Sequence, residues 1–182
     1  MLYYTENKCS FWITIEGTIG GLRVTLMLEL RDVVADDLPV FFQQQLDPDA
    51  IYMAAFTAKD PTDHDAFMAR WQRILSNPTV VIKTILVNGQ IAGSVSTYKE
   101  AGTPEVTYWL GKAYWGKGIA TRALTEFLAK VQPMRPLRAR VAKDNLASLR
   151  VLQKCGFTIV GEDKGFANAR NAETEEYLLT LV

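Results

Sequence analysis

The part of the chain with the clearest chemical character is a glycine-containing loop at residues 115–121, Trp-Gly-Lys-Gly-Ile-Ala-Thr, which leads from a strand-like segment into an amphipathic helix. A helix that begins after such a loop leaves its first backbone N–H groups without intrahelical partners, and the helix dipole favours negative charge at the same end. Backbone amides in this arrangement hold phosphate groups. The loop therefore predicts a site for a phosphate or a pyrophosphate.

Two common phosphate-binding patterns fail on specific residues of this loop. A Walker A loop fits from Gly111 to Lys117, but Gly118 stands where a Ser or Thr hydroxyl would hold magnesium. A dinucleotide-binding loop needs Gly or Ala where Thr121 stands, and it needs an acidic residue after the next strand, whereas residues 137–142 are basic. Both patterns are therefore rejected.

A third pattern, the acetyl-CoA loop Gln/Arg-x-x-Gly-x-Gly/Ala, is matched at Gly118 and Ala120, with Trp115 in the first position. A second motif at residues 144–157 reads Asp-Asn-Leu-Ala-Ser-Leu-Arg-Val-Leu-Gln-Lys-Cys-Gly-Phe and follows a short apolar strand. Together the two motifs resemble the GNAT superfamily of N-acetyltransferases, and more narrowly the branch that acetylates the N-terminal alanine or serine of ribosomal proteins. The resemblance extends from about residue 28 to the C-terminus and leaves residues 1–26 outside it.

The resemblance implies acetyl-CoA as the co-substrate and no metal ion. In the family the loop amides hold the pyrophosphate, the Asn before the following helix contacts the pantetheine arm, and an exposed backbone amide in the strand before the loop faces the thioester carbonyl. That amide belongs here to Trp109 or Leu110. Lys117 is either a phosphate contact or a surface lysine, and Asn145 is also a typical helix N-cap. The expected donor-binding residues are Trp109, Leu110, Trp115, Gly116, Lys117, Gly118, Ile119, Ala120, Thr121 and Asn145.

Two catalytic residues are implied in the same way. Glu105, about ten residues before the loop, occupies the place of the general base in many relatives, although a Glu at the start of a strand is equally typical of a solvated surface. Many relatives carry a Tyr seven residues after the Asn that protonates the leaving thiolate, but here this position is Leu152. In the narrower branch Ser148 is the partner of the thiol, unless it only assists capping. Tyr114 and Tyr108 remain alternative candidates.

Other conspicuous residues have simpler explanations. His64 is the only histidine, so a site with several histidine ligands is excluded, and its neighbours indicate a solvent-facing position. Three aromatic residues are expected in the core or in the wall of an acceptor cleft: Phe56, Phe67 and Trp71. Helix capping explains an acidic region, with recognition of an amine as a second interpretation; its members are Asp47, Asp49, Asp60, Asp63 and Asp65.

Composition agrees with one enzyme domain over residues 1–182, in which residues 1–26 are an N-terminal extension. The 20 basic and 20 acidic residues cancel, so nothing indicates binding to nucleic acid or to a membrane surface. No apolar run is long enough to cross a membrane, and the N-terminus lacks a signal pattern. Cys9 and Cys155 form no metal spacing and no disulfide framework, so we expect a cytoplasmic protein. A homodimer is a possible assembly.

Hydrophobic periodicity predicts strands that alternate with helices and indicates no linker. Residues 11–30 have the alternation of a hairpin, and Asn88-Gly89 predicts a second hairpin with a type I′ turn. Strands are expected near 79–87, 91–98, 104–110, 137–142, 157–163 and 173–181. Helices are expected at 38–46, after Asp47-Pro48, after a capping box at 62–65, from about 119 to 131, and at 145–155.

This order predicts an α/β (α+β) fold of the GNAT type, a mixed and mostly antiparallel twisted sheet flanked by helices, with an extra N-terminal hairpin. The resemblance then implies transfer of an acetyl group to a primary amine, either a small molecule or a protein N-terminus, by direct attack in a ternary complex. The alternative is a non-catalytic module on the same fold that binds acyl-CoA or a partner.

Overall fold

One mixed sheet runs through the part of the chain that the computed structural model describes, which comprises residues 11–19, 22–100 and 102–182. Its eight strands lie in the order β1-β2-β3-β4-β5-β6-β8-β7, and only β5 and β6 are parallel neighbours. The strands are β1 (Phe11–Ile19), β2 (Leu22–Asp32), β3 (Val81–Val87), β4 (Gln90–Glu100), β5 (Thr103–Leu110), β6 (Leu137–Ala142), β7 (Thr158–Ala167) and β8 (Ala172–Leu181).

Five α-helices connect these strands within the described residues. They are α1 (Leu38–Gln45), α2 (Pro48–Ala54), α3 (His64–Ser76), α4 (Ile119–Glu126) and α5 (Leu146–Lys154). The first three follow β2, α4 carries the chain from β5 to β6, and α5 carries it from β6 to β7. The predicted mixed sheet flanked by helices is confirmed. None of the described helices combines the length and hydropathy needed to cross a membrane.

The predicted N-terminal hairpin is also confirmed. Antiparallel pairing joins β1 to β2 from the pair Phe11/Leu30 to the pair Ile19/Leu22. On its other side β2 pairs with β3 from Leu28 to Asp32. The described part of the N-terminal extension therefore adds an edge strand to the sheet, while residues 1–10 lie outside the described part.

Side-chain alternation along β3 separates two cores on opposite faces of the sheet. Ile85 and Val87 point into the larger core, where α4 and α5 pack; Ile82 points towards α1 and α3. The smaller core consists of Leu38, Phe41, Phe67 and Trp71, and the rings of Phe41 and Trp71 stack with centroids 5.0 Å apart. Both cores come from the apolar stripes that predicted the helices.

Two helix details differ from the sequence prediction. The N-cap of α3 is Asp63 rather than Thr62, because the Asp63 carboxylate accepts from the Ala66 N–H at 2.9 Å, while Thr62 donates to Asp60. The helix after the glycine loop is regular only to Glu126 and continues as a π-helix over Phe127–Val131. Phe127 and Leu128 are still buried and Val131 packs against the larger core, so the change lies in the backbone.

A buried carboxylate, that of Asp37, holds together the segment that connects β2 to α1. Asp37 accepts two hydrogen bonds from the Arg31 guanidinium, at 2.6 and 2.7 Å, one from the Val34 N–H at 3.0 Å and one from the Thr84 hydroxyl at 2.6 Å. Its residue exposure is 1%. Burial would raise the pKa of this carboxyl, but the hydrogen bonds from Arg31 and Thr84 outweigh burial and hold the pKa below its usual value.

We expect Asp37→Asn to lower the free energy of unfolding at pH 7 by about 2–4 kcal/mol, because Arg31 loses the partner of its ion pair. Since the folded-state pKa is lowered, the charge of Asp37 stabilises the protein fully above the unfolded-state pKa of about 3.9. This contribution is lost as the pH falls through the lower folded-state pKa. Urea unfolding at several pH values should therefore show a stability gap between wild type and variant that shrinks below about pH 4.

The exposed neighbour gives a matched control for this experiment. Asp36→Asn removes the same charge one residue earlier and should change stability by less than about 0.5 kcal/mol. A gap for Asp37→Asn that does not depend on pH would contradict the assignment of its effect to the ionised carboxylate.

Candidate active site

The two parallel strands in the middle of the sheet separate soon after they meet. Their only ladder pair in the described residues is Glu105 with Arg138, near the start of β5, although β5 continues to Leu110 and β6 to Ala142. Beyond this pair their facing backbone groups have no ladder partner. A cavity of about 780 Å³ lies at the opening, between the two strands, the glycine loop and parts of α2, α3 and α5.

The glycine loop closes one end of this cavity. Gly116 and Gly118 adopt φ values of +70° and +73°, a region that favours glycine, and Gly118 is the N-cap of α4 without a side-chain cap. A Cβ at either position would meet no atom within 4 Å, so the backbone is open to a ligand. The first amides of α4 are therefore available, as the sequence predicted, and Ile119, Ala120 and Thr121 line the cavity.

Two side chains of the loop have other roles. The Trp115 indole donates from Nε1 to the Leu110 carbonyl at 2.8 Å, and this bond ties the loop to the end of β5. Lys117 is exposed, donates from Nζ to the Ala113 carbonyl at 2.7 Å and does not line the cavity. The surface interpretation of Lys117 thus fits its position better than a direct phosphate contact.

The pairing of β5 with β4 indicates which amide faces the opening. The Gly111 N–H donates to the Ala92 carbonyl at 2.9 Å. Hydrogen-bonded and non-hydrogen-bonded pairs alternate in an antiparallel ladder. The backbone N–H of Trp109 is therefore directed at β4, whereas that of Leu110, opposite Gly93, is directed away from β4. A Cβ at Gly93 would lie 1.9 Å from the Trp109 carbonyl oxygen, which shows how closely the two backbones approach there. Of the two predicted candidates, Leu110 presents its N–H to the cavity.

Asn145 joins two elements of the site. Its Oδ1 accepts from the Ser148 N–H at 3.0 Å, so it is the N-cap of α5. Its Nδ2 donates to the Met53 carbonyl at 2.9 Å, which fastens the end of α2 to the start of α5. The capping prediction is confirmed, and one N–H of the amide remains for a ligand in the cavity.

Ser148 has a partner that the sequence did not reveal. Its Oγ lies 2.7 Å from the hydroxyl of Tyr108, across the opening between α5 and β5. Burial raises the pKa of Tyr108 to about 12, although the hydrogen bond with Ser148 acts in the opposite direction. The phenol is therefore protonated at neutral pH. Leu152, at the position of the usual tyrosine, is buried in the larger core, and Tyr114 lines the cavity.

Glu105 lies beside the cavity rather than in its wall. Its residue exposure is 4%; Oε2 accepts from the Tyr98 hydroxyl at 3.3 Å, and Oε1 is 3.6 Å from Nε of Arg140. The interpretation as a solvated surface residue is therefore wrong, because the sheet and Arg140 enclose the carboxylate. Arg140 itself lines the cavity.

Arg140 is the centre of an ion-pair network on the face of the sheet opposite to α4 and α5. Besides Glu105, it contacts Glu176 at 2.9 Å and Asp163 at 3.2 Å. Burial raises the pKa of the Glu176 carboxyl, and the negative charges of Asp163 and Glu105 raise it further. The hydrogen bond from Arg140 lowers this pKa but does not outweigh these effects. Burial lowers the pKa of Arg140, but its pairing with Glu176 and the charge of Glu105 outweigh burial and raise it.

Neither Arg140 nor Glu176 was predicted from the sequence as a site residue. Arg140 lies in a strand in which charged and apolar residues alternate, and Glu176 lies in a glutamate-rich part of β8, so each of them is usually interpreted as solvent-facing. The pairing of β6 with β8, in which Ala142 lies opposite Glu176, brings the two charges together. Only the strand order, which places distant segments side by side, could have revealed the network.

The aromatic and acidic residues singled out in the sequence lie in different places relative to the cavity. Phe56, Phe67 and Trp71 all line it, as expected for an acceptor-cleft wall. His64 is exposed, packs edge-on against Phe42 and does not line the cavity. Capping explains much of the acidic region, since Asp47 caps α2, Asp63 caps α3, Asp60 binds Thr62 and Asp49 pairs with Lys112.

No set of three or more His, Cys, Asp or Glu in the described residues is arranged to hold a metal ion. Cys155 is a free, half-buried thiol near Thr125, whereas Cys9 lies outside the described part. The cavity is lined by backbone amides and by side chains with hydroxyl, amide, indole, guanidinium and ammonium groups, while the carboxylates of Glu105 and Glu176 are not among the lining groups.

Comparison with known proteins identifies the family. Residues 27–158 match the family model of the acetyltransferase (GNAT) domain, and the chain belongs to this family. The match begins within β2, so the hairpin strand β1 lies outside it. No curated protein matched the chain in a sequence comparison.

Solved acetyltransferases share the fold. The microcin C7 self-immunity acetyltransferase MccE, in complex with acetyl-CoA and AMP, is 19% identical with a TM-score of 0.69, over 85% of this chain and 92% of that one. The ribosomal L7/L12 alpha-N-protein acetyltransferase RimL, in complex with coenzyme A, is 22% identical with a TM-score of 0.67, over 83% and 92%. Spermidine N-acetyltransferase from Vibrio cholerae, in complex with CoA and spermine, is 15% identical with a TM-score of 0.73, over 85% and 94%.

Proposed function

We propose that the protein is an acetyl-CoA-dependent N-acetyltransferase that transfers an acetyl group to a primary amine by direct attack within a ternary complex. The observation that carries the proposal is the convergence of three features on one cavity: the open amides before α4, the Leu110 N–H, and the hydroxyl pair of Tyr108 and Ser148. Family membership and the presence of coenzyme A in several neighbours support the choice of donor.

In this proposal the backbone binds and polarises the donor. The amides of residues 116–121 hold the pyrophosphate, because the helix N-terminus supplies both N–H donors and a favourable dipole. Asn145 directs its remaining N–H at the pantetheine arm. The Leu110 N–H donates to the thioester oxygen, where negative charge develops as the amine attacks. Trp115 supports this geometry by holding the Leu110 carbonyl.

Glu105 is the proposed proton acceptor. Since its carboxylate lies behind the wall of the cavity, a water molecule must pass the ammonium proton to it. The Tyr98 hydroxyl and Arg140 keep the carboxylate in position. Glu176 is the competing acceptor, because it is buried in the same network and its pKa is raised.

Ser148 is the proposed partner of the departing sulfur. It stands in the first turn of α5, where the helix dipole favours a developing thiolate. The two hydroxyls of Tyr108 and Ser148 are 2.7 Å apart. In this proposal Tyr108 is the donor of the pair and Ser148 Oγ the acceptor, which directs the serine proton towards the sulfur. The proposal includes a cytoplasmic location and an acceptor that is a small amine or a protein N-terminus. One observation favours the non-catalytic alternative, namely that Glu105 does not line the cavity.

Acetyl-CoA is expected to raise the melting temperature of the protein by mass action. Gly118→Asp should abolish this shift, because a carboxylate would enter the anion site and a side chain would block the backbone. Gly89→Asp is the matched control, since Gly89 also has a left-handed φ, +76°, with no atom within 4 Å of a Cβ, but lies in the β3–β4 turn. A wild-type protein that ignores millimolar acetyl-CoA in a thermal-shift titration would refute the proposed function.

Replacing the proposed base should affect turnover rather than donor binding. Glu105→Gln is expected to lower kcat by about 10²–10⁴-fold, because general-base catalysis contributes this much, while the thermal shift with acetyl-CoA is retained. Steady-state release of CoA thiol measures the effect. Glu176→Gln is the comparison: if it loses turnover and Glu105→Gln does not, the proton acceptor is Glu176.

Removing the serine hydroxyl should slow departure of the thiolate. Ser148→Ala is expected to lower kcat about 10-fold or more, a barrier increase of about 1.4 kcal/mol, and Tyr108→Phe should lower kcat in the same step. Tyr114→Phe is the control, because Tyr114 lines the cavity as well. A fully active Ser148→Ala variant together with an inactive Tyr114→Phe variant would transfer the role to Tyr114.

A further inference from the structure

The charged residues that line the cavity are all basic. They are Arg70, Arg140, Arg150 and Lys154, and no Asp or Glu of the described residues belongs to the wall. Arg150 and Lys154 lie on α5, beside the glycine loop, and Arg140 is paired with three carboxylates. Arg70 lies on α3, on the opposite face of the sheet from α5, and is therefore separate from the basic residues beside the glycine loop.

Arg70 has no anionic partner in the described part of the chain. Its Nη2 donates to the Gln45 amide oxygen at 2.9 Å, and its guanidinium lies 5.7 Å from the centroid of the Phe67 ring. Nε is buried without a hydrogen-bond partner. Burial lowers the pKa of Arg70, and the charge of Arg73 adds to this effect. An unpaired, partly buried cation costs free energy, and a bound anion that pairs with the guanidinium would lower this cost.

Two tryptophans add further unused donors to the same wall. Nε1 of Trp71 and Nε1 of Trp109 are buried without partners, and both residues line the cavity with Arg70. An indole N–H and a guanidinium can only donate. The three groups therefore call for a ligand that accepts hydrogen bonds.

The carboxylates that could attract a polycation are committed elsewhere. Asp47 and Asp63 accept from the backbone as helix caps, and Asp60 accepts from Thr62. Glu105 and Glu176 face Arg140. A polyamine would therefore meet a wall of positive charge and donors.

From this arrangement we infer that the acceptor is a small amine that carries an anionic group, a carboxylate or a phosphate, and that Arg70 binds this group with the help of the two indole N–H donors. The inference rests on the proposed N-acetyltransferase function and specifies its acceptor. The amine end of such a molecule points towards the Leu110 amide and the thioester, while its anionic end lies against α3.

Matched pairs of amines test the inference. Ethanolamine phosphate is compared with ethanolamine, and alanine with alaninamide, with spermidine as the polycation. Two readouts are used: the thermal shift of the CoA-bound protein, and kcat/KM from thiol release. The wild type should be stabilised more by the anionic member of at least one pair. The pair that responds distinguishes a phosphate from a carboxylate.

Arg70→Gln should then lower kcat/KM for the preferred anionic amine about 10-fold or more and change that for its neutral partner by less than about 2-fold, because only the anion uses the guanidinium. The ratio of variant to wild type removes the difference in amine pKa between the pair. Arg73→Gln is the control, since it removes the same charge from the exposed side of the same helix and should change neither value. Arg70→Lys, which keeps the charge, should be intermediate and shows whether loss of activity reflects loss of fold.

Three results would overturn the inference: preference of the wild type for spermidine or for the neutral amines, an equal effect of Arg70→Gln on both members of a pair, or an equal effect of Arg73→Gln. If no amine is acetylated, the inference is tested by the thermal shift of the CoA-bound protein alone: the anionic member of a pair should stabilise the wild type more than the neutral member, and Arg70→Gln should remove this difference. Failure of the proposed function is recognised separately: either acetyl-CoA gives no thermal shift in the absence of any amine, or it gives the shift and no amine of the panel releases CoA thiol.

Discussion

The separation of β5 from β6 is the constraint on which the site depends. A parallel pair that continued along its full length would satisfy its own backbone groups and leave no room between the strands. Here the ladder is reduced to one pair, so the Leu110 amide, the Tyr108 side chain and the start of α5 face one space. The crossover through α4 brings the glycine loop to the same end of the sheet. The cavity is thus made by interrupted hydrogen bonding.

The two faces of the sheet contribute different chemistry to this space. The face under α4 and α5 supplies an apolar core, a helix N-terminus and two hydroxyls. The opposite face supplies Arg70 and the network around Arg140, which holds three carboxylates that would repel one another without the cation. Because Glu105 lies on one strand, Glu176 on another and Asp163 on a third, the network also ties together β5, β6, β7 and β8. Local order at the site and the proposed proton transfer would therefore depend on the same residues.

Much of the fold could be predicted from local signals. Hydrophobic periodicity identified β6 and α5 to within one residue, and Asn88-Gly89 identified the β3–β4 turn. The glycine loop and Asn145 could be placed because each depends on a short stretch of sequence. The sequence leaves Glu105 open between a general base and a surface residue and does not indicate Arg140 or Glu176, because burial of a charged strand residue depends on which strands become neighbours. The Tyr108–Ser148 pair, 40 residues apart in the chain, depends on the opening itself.

The two hydrogen bonds of Asn145 couple two walls of the cavity. One of them fixes the first turn of α5, and the other holds the end of α2, and residues of both helices line the cavity. In the proposed ternary complex a molecule that moves either helix would also move the other, so the binding free energies of the two substrates would be linked through one amide. Because such linkage is reciprocal, each substrate would change the affinity for the other by the same factor, through a contact that touches neither reacting atom.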